Sequence, residues 1–274
     1  MVRQEVHVAP VSEEVDRVVL PFLPERGNPP QMHAHRVVLV VPPDFRATAA
    51  KIRERLRSVA VVEEVPLETG TDRSAEFRTV LETIARVLAR EIEAGHRVHL
   101  NLSSGSKMVC VAAGMAAMAH IRPGQGSIYN VRPAGHSVTR EEFEAHGRTK
   151  GVLHVDEVEP VPILLPEAIQ LRVLGFLREQ PKQSAEYRDV IKFLAQIPGS
   201  GYQPASVGAK RLVAWNNAVT TRMVRKVLTP LEDEGLIEVK ALGRQKGAHL
   251  TSRGMVYAAL AAPDAGALRR PLQP

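Results

Sequence analysis

Apolar residues in the first half of the chain alternate between short β-branched runs and longer stretches with helical spacing. The longest stretch, from Asp72 to Ala94, repeats apolar residues every three or four positions, and Gly95 can end it. The predicted strands are Val6–Ala9, Arg36–Val41, Val59–Val65, Val98–Leu102 and Ser127–Val131, and the predicted helices are Glu13–Leu20, Ala47–Arg57, Asp72–Ala94 and Met108–His120. This alternation favours right-handed βαβ units, so we predict a Rossmann-like α/β domain whose mainly parallel sheet carries helices on both faces.

A change of pattern after residue 131 predicts where this domain ends. Residues 132–150 are polar and indicate irregular structure, and Val152–Val158 can add one strand at an edge of the sheet. Pro160, Pro162 and Pro166 then form a stiff connection. We therefore predict a first domain over residues 1–160, a second over residues 167–262 and a flexible tail over residues 263–274.

The second half has mainly helical spacing, followed by a short β pattern. Its predicted helical segments are Ala168–Glu179, Ser184–Leu194, Ala209–Trp215 and residues 220–231. The last of these has an apolar stripe at positions i, i+3, i+4 and i+7, formed by Val224, Val227, Leu228 and Leu231. Pro230 should kink or end it. A strand at Leu236–Lys240, a glycine-containing turn and a second strand at His249–Thr251 then predict a hairpin the size of a wing.

The order of these elements and their charges favour an α+β winged helix-turn-helix that binds double-stranded DNA. A recognition helix needs an apolar face towards its own domain and polar or basic residues towards the major groove. The candidate DNA contacts are Thr221, Arg222, Arg225 and Lys226 on the helix and Arg244 and Lys246 at the wing tip. The alternative is an ordinary surface helix followed by a hairpin.

The charge of the chain changes this picture because it is unevenly divided. Residues 168–274 contain 16 Lys and Arg residues and 8 Asp and Glu residues. The rest of the chain contains 20 Lys and Arg residues and 22 Asp and Glu residues. A basic module beside a nearly neutral one is typical of a protein in which a single domain binds a polyanion.

Composition also argues against several other classes of protein. No run of 18 apolar residues predicts a membrane span, and acidic residues within the first 25 positions argue against a signal peptide, so we expect a cytoplasmic protein. The single cysteine, Cys110, excludes an internal disulfide framework. The histidines lack metal-ligand spacing, so we expect no metal. No Walker lysine motif or GxGxxG fingerprint occurs in the sequence, and we expect no cofactor.

A second candidate site lies between the strand Val98–Leu102 and the helix that follows it. Ser103, Ser104, Gly105, Ser106 and Lys107 place hydroxyl groups, a glycine and a cation at the carboxyl edge of the predicted sheet. Backbone N–H groups at a helix N-terminus can bind an anion or a phosphate there. The alternative is a capped turn that merely starts a buried helix.

The sequence Asn-Leu-Ser-Ser-Gly-Ser-Lys at positions 101–107, followed by a helix of small residues, resembles the CARF domains. These are CRISPR-associated Rossmann-fold sensors of cyclic oligoadenylates. With the winged helix included, residues 5 to 260 resemble archaeal-type CARF and winged-helix transcriptional regulators. The resemblance implies ligand contacts from Ser103 to Lys107, with Val11 and Ser12 of the first loop contributing. Family members often have two adjacent glycines where this chain has Ser104 and Gly105.

We therefore expect a homodimeric, ligand-responsive transcriptional regulator that senses a cyclic oligoadenylate or related nucleotide and is linked to CRISPR antiviral defence. One alternative is a metal-independent ring nuclease that cleaves cyclic oligoadenylate, although no general base is evident. Another is a DNA-binding protein whose α/β half only dimerises. Arg90 with His96, and Arg140 with His146, have the spacing of a nuclease motif, but such spacings arise readily by chance, so we name no catalytic residue.

Overall fold

The computed structural model describes residues 2–24, 30–68, 73–158, 160–198, 200–202, 218–242 and 245–261. The predicted segment Ala209–Trp215, Arg244 and the predicted tail 263–274 lie outside these ranges. The chain divides between Ile163 and Leu164 into two compact units. No helix in the described ranges is long and apolar enough to cross a membrane.

The first unit contains a six-stranded sheet in the order β3-β2-β1-β4-β5-β6. Its strands are β1 (Glu5–Pro10), β2 (Arg36–Val41), β3 (Val61–Pro66), β4 (Arg97–Asn101), β5 (Gly126–His136) and β6 (Thr149–Val158). Strands β1 to β5 are parallel, and β6 runs antiparallel to β5 at the edge. The predicted mainly parallel, Rossmann-like sheet is confirmed.

Helices cover both faces of this sheet. They are α1 (Asp16–Val19), α2 (Arg46–Leu56), α3 (Arg73–Glu93), α4 (Lys107–His120) and α5 (Arg140–His146). Because successive strand residues point to opposite faces, the central strands are apolar almost throughout. Ala9, Val37 and Leu39 pack with residues of α1 and α2, whereas α3 contacts β1 and β4, and α4 contacts β4.

Our prediction that residues 132–150 are irregular is wrong. Strand β5 continues to His136, and its pairing with β6 extends to the pair formed by His136 and Thr149. The pairing register shifts between Arg132 and Pro133, which accommodates the proline. Helix α5 lies between the two strands and starts with a capping box in which Thr139 and Glu142 bond reciprocally. Residues 132–150 are polar because the β5–β6 pair extends beyond the main sheet, where few side chains are buried.

The second unit combines helices with a small antiparallel sheet in the order β7-β9-β8. Its elements are α6 (Ala168–Glu179), β7 (Ser184–Glu186), α7 (Tyr187–Ala195), α8 (residues 218–233), β8 (Ile237–Leu242), β9 (Gln245–Leu250) and α9 (Ser252–Leu260). We predicted a helix from Ser184, which is wrong for its first three residues. They form β7 because they pair with His249, Ala248 and Gly247 of β9.

Helix α8 contains one widened turn, which is the effect of Pro230. Residues Val224–Leu228 form a π-helical turn in which the N–H of Thr229 bonds to the carbonyl of Val224, and α-helix continues over Thr229–Asp233. Proline has no N–H to donate to the carbonyl four residues earlier. The helix departs from regular α geometry in the turn just before Pro230, and it does not end there but continues to Asp233.

Candidate functional site

The strand order places the first candidate site at the centre of the sheet. Strands β1 and β4 are neighbours, and from them the chain builds outward in opposite directions, to β2 and β3 on one side and to β5 on the other. Such a switch point opens a crevice at the carboxyl ends of the strands, where ligands of open α/β sheets bind. Val11 and Ser12 follow β1 there, and Ser103 to Lys107 follow β4.

Ser12 joins the two loops through its hydroxyl group. Its Oγ accepts a hydrogen bond from the N–H of Gly105 at 3.0 Å and lies 2.9 Å from Oγ of Ser104. The Ser104 side chain is fully buried. Ser104 therefore holds the loop after β4 against the loop after β1.

Ser103 connects the same loop to β5. Its hydroxyl oxygen accepts a hydrogen bond from the N–H of Val131, and its own N–H donates to Oδ1 of Asn101 at 2.7 Å. Asn101 in turn donates from Nδ2 to the carbonyl of Arg17 at 3.1 Å. The loop is thus anchored to β5 and α1 before α4 begins.

Gly105 and Ser106 build the start of α4. Gly105 has a φ of +114°, and a Cβ atom there would lie 2.8 Å from Cγ1 of Val109, so a larger side chain would be strained. The Ser106 hydroxyl caps the helix by accepting from the N–H of Val109 at 3.3 Å. Lys107 is the first residue of α4 and is exposed to solvent.

These loops border a cleft of about 410 Å³. Of the seven residues predicted to bind ligand, Val11, Ser12, Ser103, Gly105 and Ser106 line it, whereas Ser104 and Lys107 do not. The other lining residues, which sequence reasoning missed, are Glu13, Glu14, Arg17, Pro42, Asp44, Phe45, Leu67, Glu76, Val109 and Arg148. Those that follow β2 and β3 could have been found from the rule that ligands bind at the carboxyl edge.

The cleft contains charges of both signs. Its cations are Arg17 and Arg148, and its acidic residues are Glu13, Glu14, Asp44 and Glu76. Glu13 pairs with Arg148, while Glu14 accepts from Oγ1 of Thr149 at 2.5 Å and lies 3.9 Å from Arg17. The carboxylates of Glu13 and Glu14 would repel a phosphate, and these partners offset part of that repulsion.

Arg17 is the more firmly held of the two cations. Its Nε donates to the carbonyl of Val131 at 2.8 Å, and Nη2 donates to Oδ1 of Asn130 at 3.0 Å. Burial lowers the pKa of Arg17, and the carboxylate of Glu14 opposes that effect. Because arginine starts from so high a pKa, its guanidinium remains charged at neutral pH.

Cys110 lies beneath the loop and has a packing role. Its thiol donates to the carbonyl of Leu102 at 3.4 Å. Burial raises the pKa of this thiol, with Arg17 acting in the opposite sense. At neutral pH it is therefore a thiol rather than a reactive thiolate.

The second candidate site is the exposed face of α8. Thr221, Arg222, Arg225 and Lys226 are all exposed. The opposite side is formed by Val219, Met223, Val227, Leu228 and Leu231, which are buried in the core of the second unit. Val224, which we assigned to the apolar stripe, is only partly buried, because the buried side includes Met223.

The three basic residues of α8 differ in their surroundings. Arg222 donates from Nη1 to the carbonyl of Gly201 at 3.4 Å and lies over the ring of Tyr202 at 5.7 Å. Within the described part of the chain, neither Arg225 nor Lys226 forms an ion pair. Both charges are therefore available to an external anion.

The wing residue Lys246 is exposed on β9. In the antiparallel pairing of the two wing strands it lies opposite Ala241 of β8.

No group of three or more histidine, cysteine, aspartate or glutamate side chains that could hold a metal ion occurs in the described ranges.

Two family models match the chain, one in each half. Residues 5–136 match the model described as HFX_2341_N:-like, N-terminal, and residues 169–262 match the DUF6293 C-terminal winged helix domain. No curated protein matches the sequence.

The solved structures with similar folds are distant in sequence. Csm6 from Enterococcus italicus, bound to cyclic hexa-2'-fluoro-hexa-dAMP, is 11% identical, and the alignment covers 85% of this chain and 58% of that chain with a TM-score of 0.41. Can2 from Sulfobacillus thermosulfidooxidans, in complex with cyclic tetra-adenylate, is 14% identical, with 78% and 57% covered and a TM-score of 0.35. This chain thus spans less than two thirds of the length of either.

The fold and the family matches agree on how the chain is organised. A mostly parallel, Rossmann-like sheet occupies the first unit, and helices with a small antiparallel sheet match the winged helix model in the second. The chain therefore joins an N-terminal domain that matches the HFX_2341_N:-like model to a C-terminal domain that matches the DUF6293 winged helix model.

Proposed function

We propose that this protein is a ligand-responsive transcriptional regulator that works in the cytoplasm as a homodimer. Its winged helix domain binds double-stranded DNA, and its first domain senses a cyclic oligoadenylate or related nucleotide, linking it to CRISPR antiviral defence. The single observation that carries the proposal is the face of α8, on which Thr221, Arg222, Arg225 and Lys226 are all exposed opposite a buried apolar side.

The proposal that α8 is the recognition helix rests on charge and shape together. An α-helix fits the major groove of B-DNA, where arginine and lysine contact guanine edges or phosphates. Arg225 and Lys226 are free of ion pairs in the described part of the molecule, so no internal partner has to be displaced when they bind a phosphate. Arg222, held near Tyr202, has fewer accessible orientations and is the better candidate for reading a base.

The proposal that the cleft binds a nucleotide rests on its place in the fold. It lies at a topological switch point, and its volume of about 410 Å³ is within the range of small-molecule sites. The N-terminus of α4 borders it at Ser106, where the N–H groups of a first helical turn and the helix dipole favour a phosphate. Arg17 and Arg148 line the cleft, and Lys107 adds a third cation at the start of α4.

A homodimer explains how a cleft of this size could bind part of a cyclic oligonucleotide. A ring with an even number of units has two-fold symmetry, as does the commonest oligomer. Next to Lys107 on α4, Met108 and Val111 are 48% and 55% exposed, an apolar surface suited to contact with a second copy. Light scattering at micromolar concentration should give a dimer, and a monomer would contradict this part of the proposal.

The DNA-binding part is tested by replacing Arg222, Arg225 and Lys226 together with alanine. Binding to a duplex of about 30 base pairs, measured by fluorescence anisotropy at several salt concentrations, should weaken. The slope of log affinity against log salt should fall by roughly one for each phosphate that the variant no longer binds. An unchanged affinity and salt slope would rule out α8 as the recognition helix.

A matched control removes the same charge from the other domain. Arg57, Arg86 and Arg140 are exposed, and each forms a surface ion pair on its own helix or helix end. Their replacement with alanine also removes three positive charges, so it measures the effect of net charge alone. The α8 variant should lose much more affinity than this control.

The ligand part is tested by incubating the protein with cyclic tri-, tetra- and hexa-adenylate. A bound ligand raises the melting temperature by mass action, and chromatography of the same mixtures shows whether the ring stays intact. We expect stabilisation without cleavage by at least one ring. Cleavage would favour the ring nuclease, and no stabilisation by any ring would favour an α/β domain that only dimerises.

A further inference from the structure

Gln170 of α6 is a buried polar side chain with a bond at each end. Its Oε1 accepts a hydrogen bond from the N–H of Glu167 at 2.9 Å, closing the start of α6. Its Nε2 donates to the carbonyl oxygen of Lys226 in α8 at 3.4 Å. Only 6% of the residue is exposed, so the amide is removed from competing water.

The carbonyl oxygen of Lys226 lacks its usual hydrogen-bond donor, because residue 230 is a proline. In a regular α-helix it would accept the N–H of residue 230, and proline has none. The widened turn Val224–Leu228 lies immediately before this position and contains both Arg225 and Lys226. Gln170 therefore supplies a donor from another helix at the point where α8 departs from regular geometry.

We propose that Gln170 is a positioning residue for DNA binding: its amide fixes the turn carrying Arg225 and Lys226 relative to the start of α6. This rests on the proposed function, because it assumes that these two side chains contact DNA. Gln170 itself is buried and touches no DNA. Its effect is exerted through the backbone of Lys226.

The proposal predicts that the effect of Gln170 on DNA binding depends on Pro230. With Pro230→Ala, residue 230 regains an N–H that can bond to the carbonyl of Lys226, so the donor from Gln170 is no longer needed. Gln170→Met should weaken binding to a duplex of about 30 base pairs by about tenfold in the parent chain. In the Pro230→Ala chain, Gln170→Met should change the affinity for the same duplex by less than about twofold.

Two further variants separate this role from simple stabilisation. Gln170→Glu keeps an acceptor for the N–H of Glu167 but has no donor for Lys226 when ionised, so it should weaken DNA binding as Gln170→Met does. Gln180→Met is the matched control, because Gln180, which follows α6, also donates to a backbone carbonyl, that of Phe176, but this bond stays within the end of one helix. It should leave DNA affinity unchanged.

Melting temperatures of all variants, measured alongside, show that each is folded at the temperature of the binding assay. Equal losses of affinity from Gln170→Met in the two backgrounds, or parental binding by Gln170→Glu, would overturn the positioning role while leaving DNA binding intact. If the parent chain itself fails to bind DNA, the proposed function and this inference both fail. If Gln170→Met is unfolded, the comparison of Gln170→Glu in the two backgrounds decides the question in the same way.

Discussion

At the residue scale, Ser12 is the side chain on which the geometry of the cleft depends most directly. Ser12→Ala leaves the N–H of Gly105 and the buried hydroxyl of Ser104 without this partner. The free energy of unfolding should fall by about 1 kcal/mol, as measured by urea denaturation. The stabilisation produced by a bound ring should also decrease. The exposed Ser58→Ala is the control, and equal behaviour of the two variants would show that Ser12 does not organise the loops.

His7 predicts a pH dependence of stability that is independent of function. Burial lowers its pKa from 6.5 to about 3, and its ring stacks on His99 at 4.7 Å and lies 3.3 Å from the Tyr129 hydroxyl. Below about pH 6.5 the unfolded chain therefore binds a proton that the folded protein does not. Stability should fall as pH decreases from about 6.5 to 3, by up to about 1.4 kcal/mol per pH unit for this group.

The variant His7→Gln keeps polar atoms at this position but cannot titrate. Its free energy of unfolding, measured by urea denaturation from pH 7 to pH 4, should depend less steeply on pH than that of the parent. Parallel curves for the two proteins would show that His7 is protonated equally in the folded and unfolded states.

Individual site residues were predictable where position along the sheet alone determines them. Gly105 and Ser106 follow the predicted strand Val98–Leu102, so the rule for parallel sheets places them at one edge, whereas Ser12 was predicted only from the resemblance to the CARF domains. Arg17 and Arg148 were missed because they reach the cleft from α1 and from the end of the β5–β6 pair. No local spacing connects residue 17 with residue 148. Only the folded arrangement brings them together.

At the element scale, periodicity predicted those elements that bury a continuous face. Strand β2 and helix α6 have the predicted bounds, and α3 differs by one residue at each end. Strand β7 and the end of β5 were missed because pairing with β9 and β6, rather than local pattern, makes them strands. Tertiary pairing overrides weak local preference in short polar segments.

The wing formed by β8 and β9 should contribute to DNA affinity without contributing to specificity. Lys246 is exposed on β9, and wings commonly contact the DNA backbone or the minor groove. Lys246→Ala should weaken binding to unrelated duplexes by similar factors and reduce the salt slope by roughly one. Lys192→Ala on α7, whose charge is paired with Asp189, is the control. A weakening confined to one DNA sequence would mean that Lys246 reads bases.

At the scale of the whole molecule, the uneven distribution of charge indicates that the two halves of the chain differ. The basic surplus lies in residues 168–274, the part that contains the winged helix match. The cleft and the switch point lie in the first unit. If the ligand changes DNA affinity by some factor, DNA must change ligand affinity by the same factor, because coupling between two binding sites is reciprocal.

The most direct test of this account measures DNA affinity with and without a cyclic oligoadenylate that stabilises the protein, for the parent and for Lys107→Ala. Lys51→Ala, on α2 of the same domain, serves as the matched lysine control. We predict that the parent and Lys51→Ala change affinity when ligand is added, while Lys107→Ala keeps the basal affinity and loses most of the response. A full ligand response in Lys107→Ala would show that the loop from Ser103 to Lys107 is not the sensor. Loss of basal DNA binding in a folded Lys107→Ala protein would contradict the separation of sensor from DNA reader.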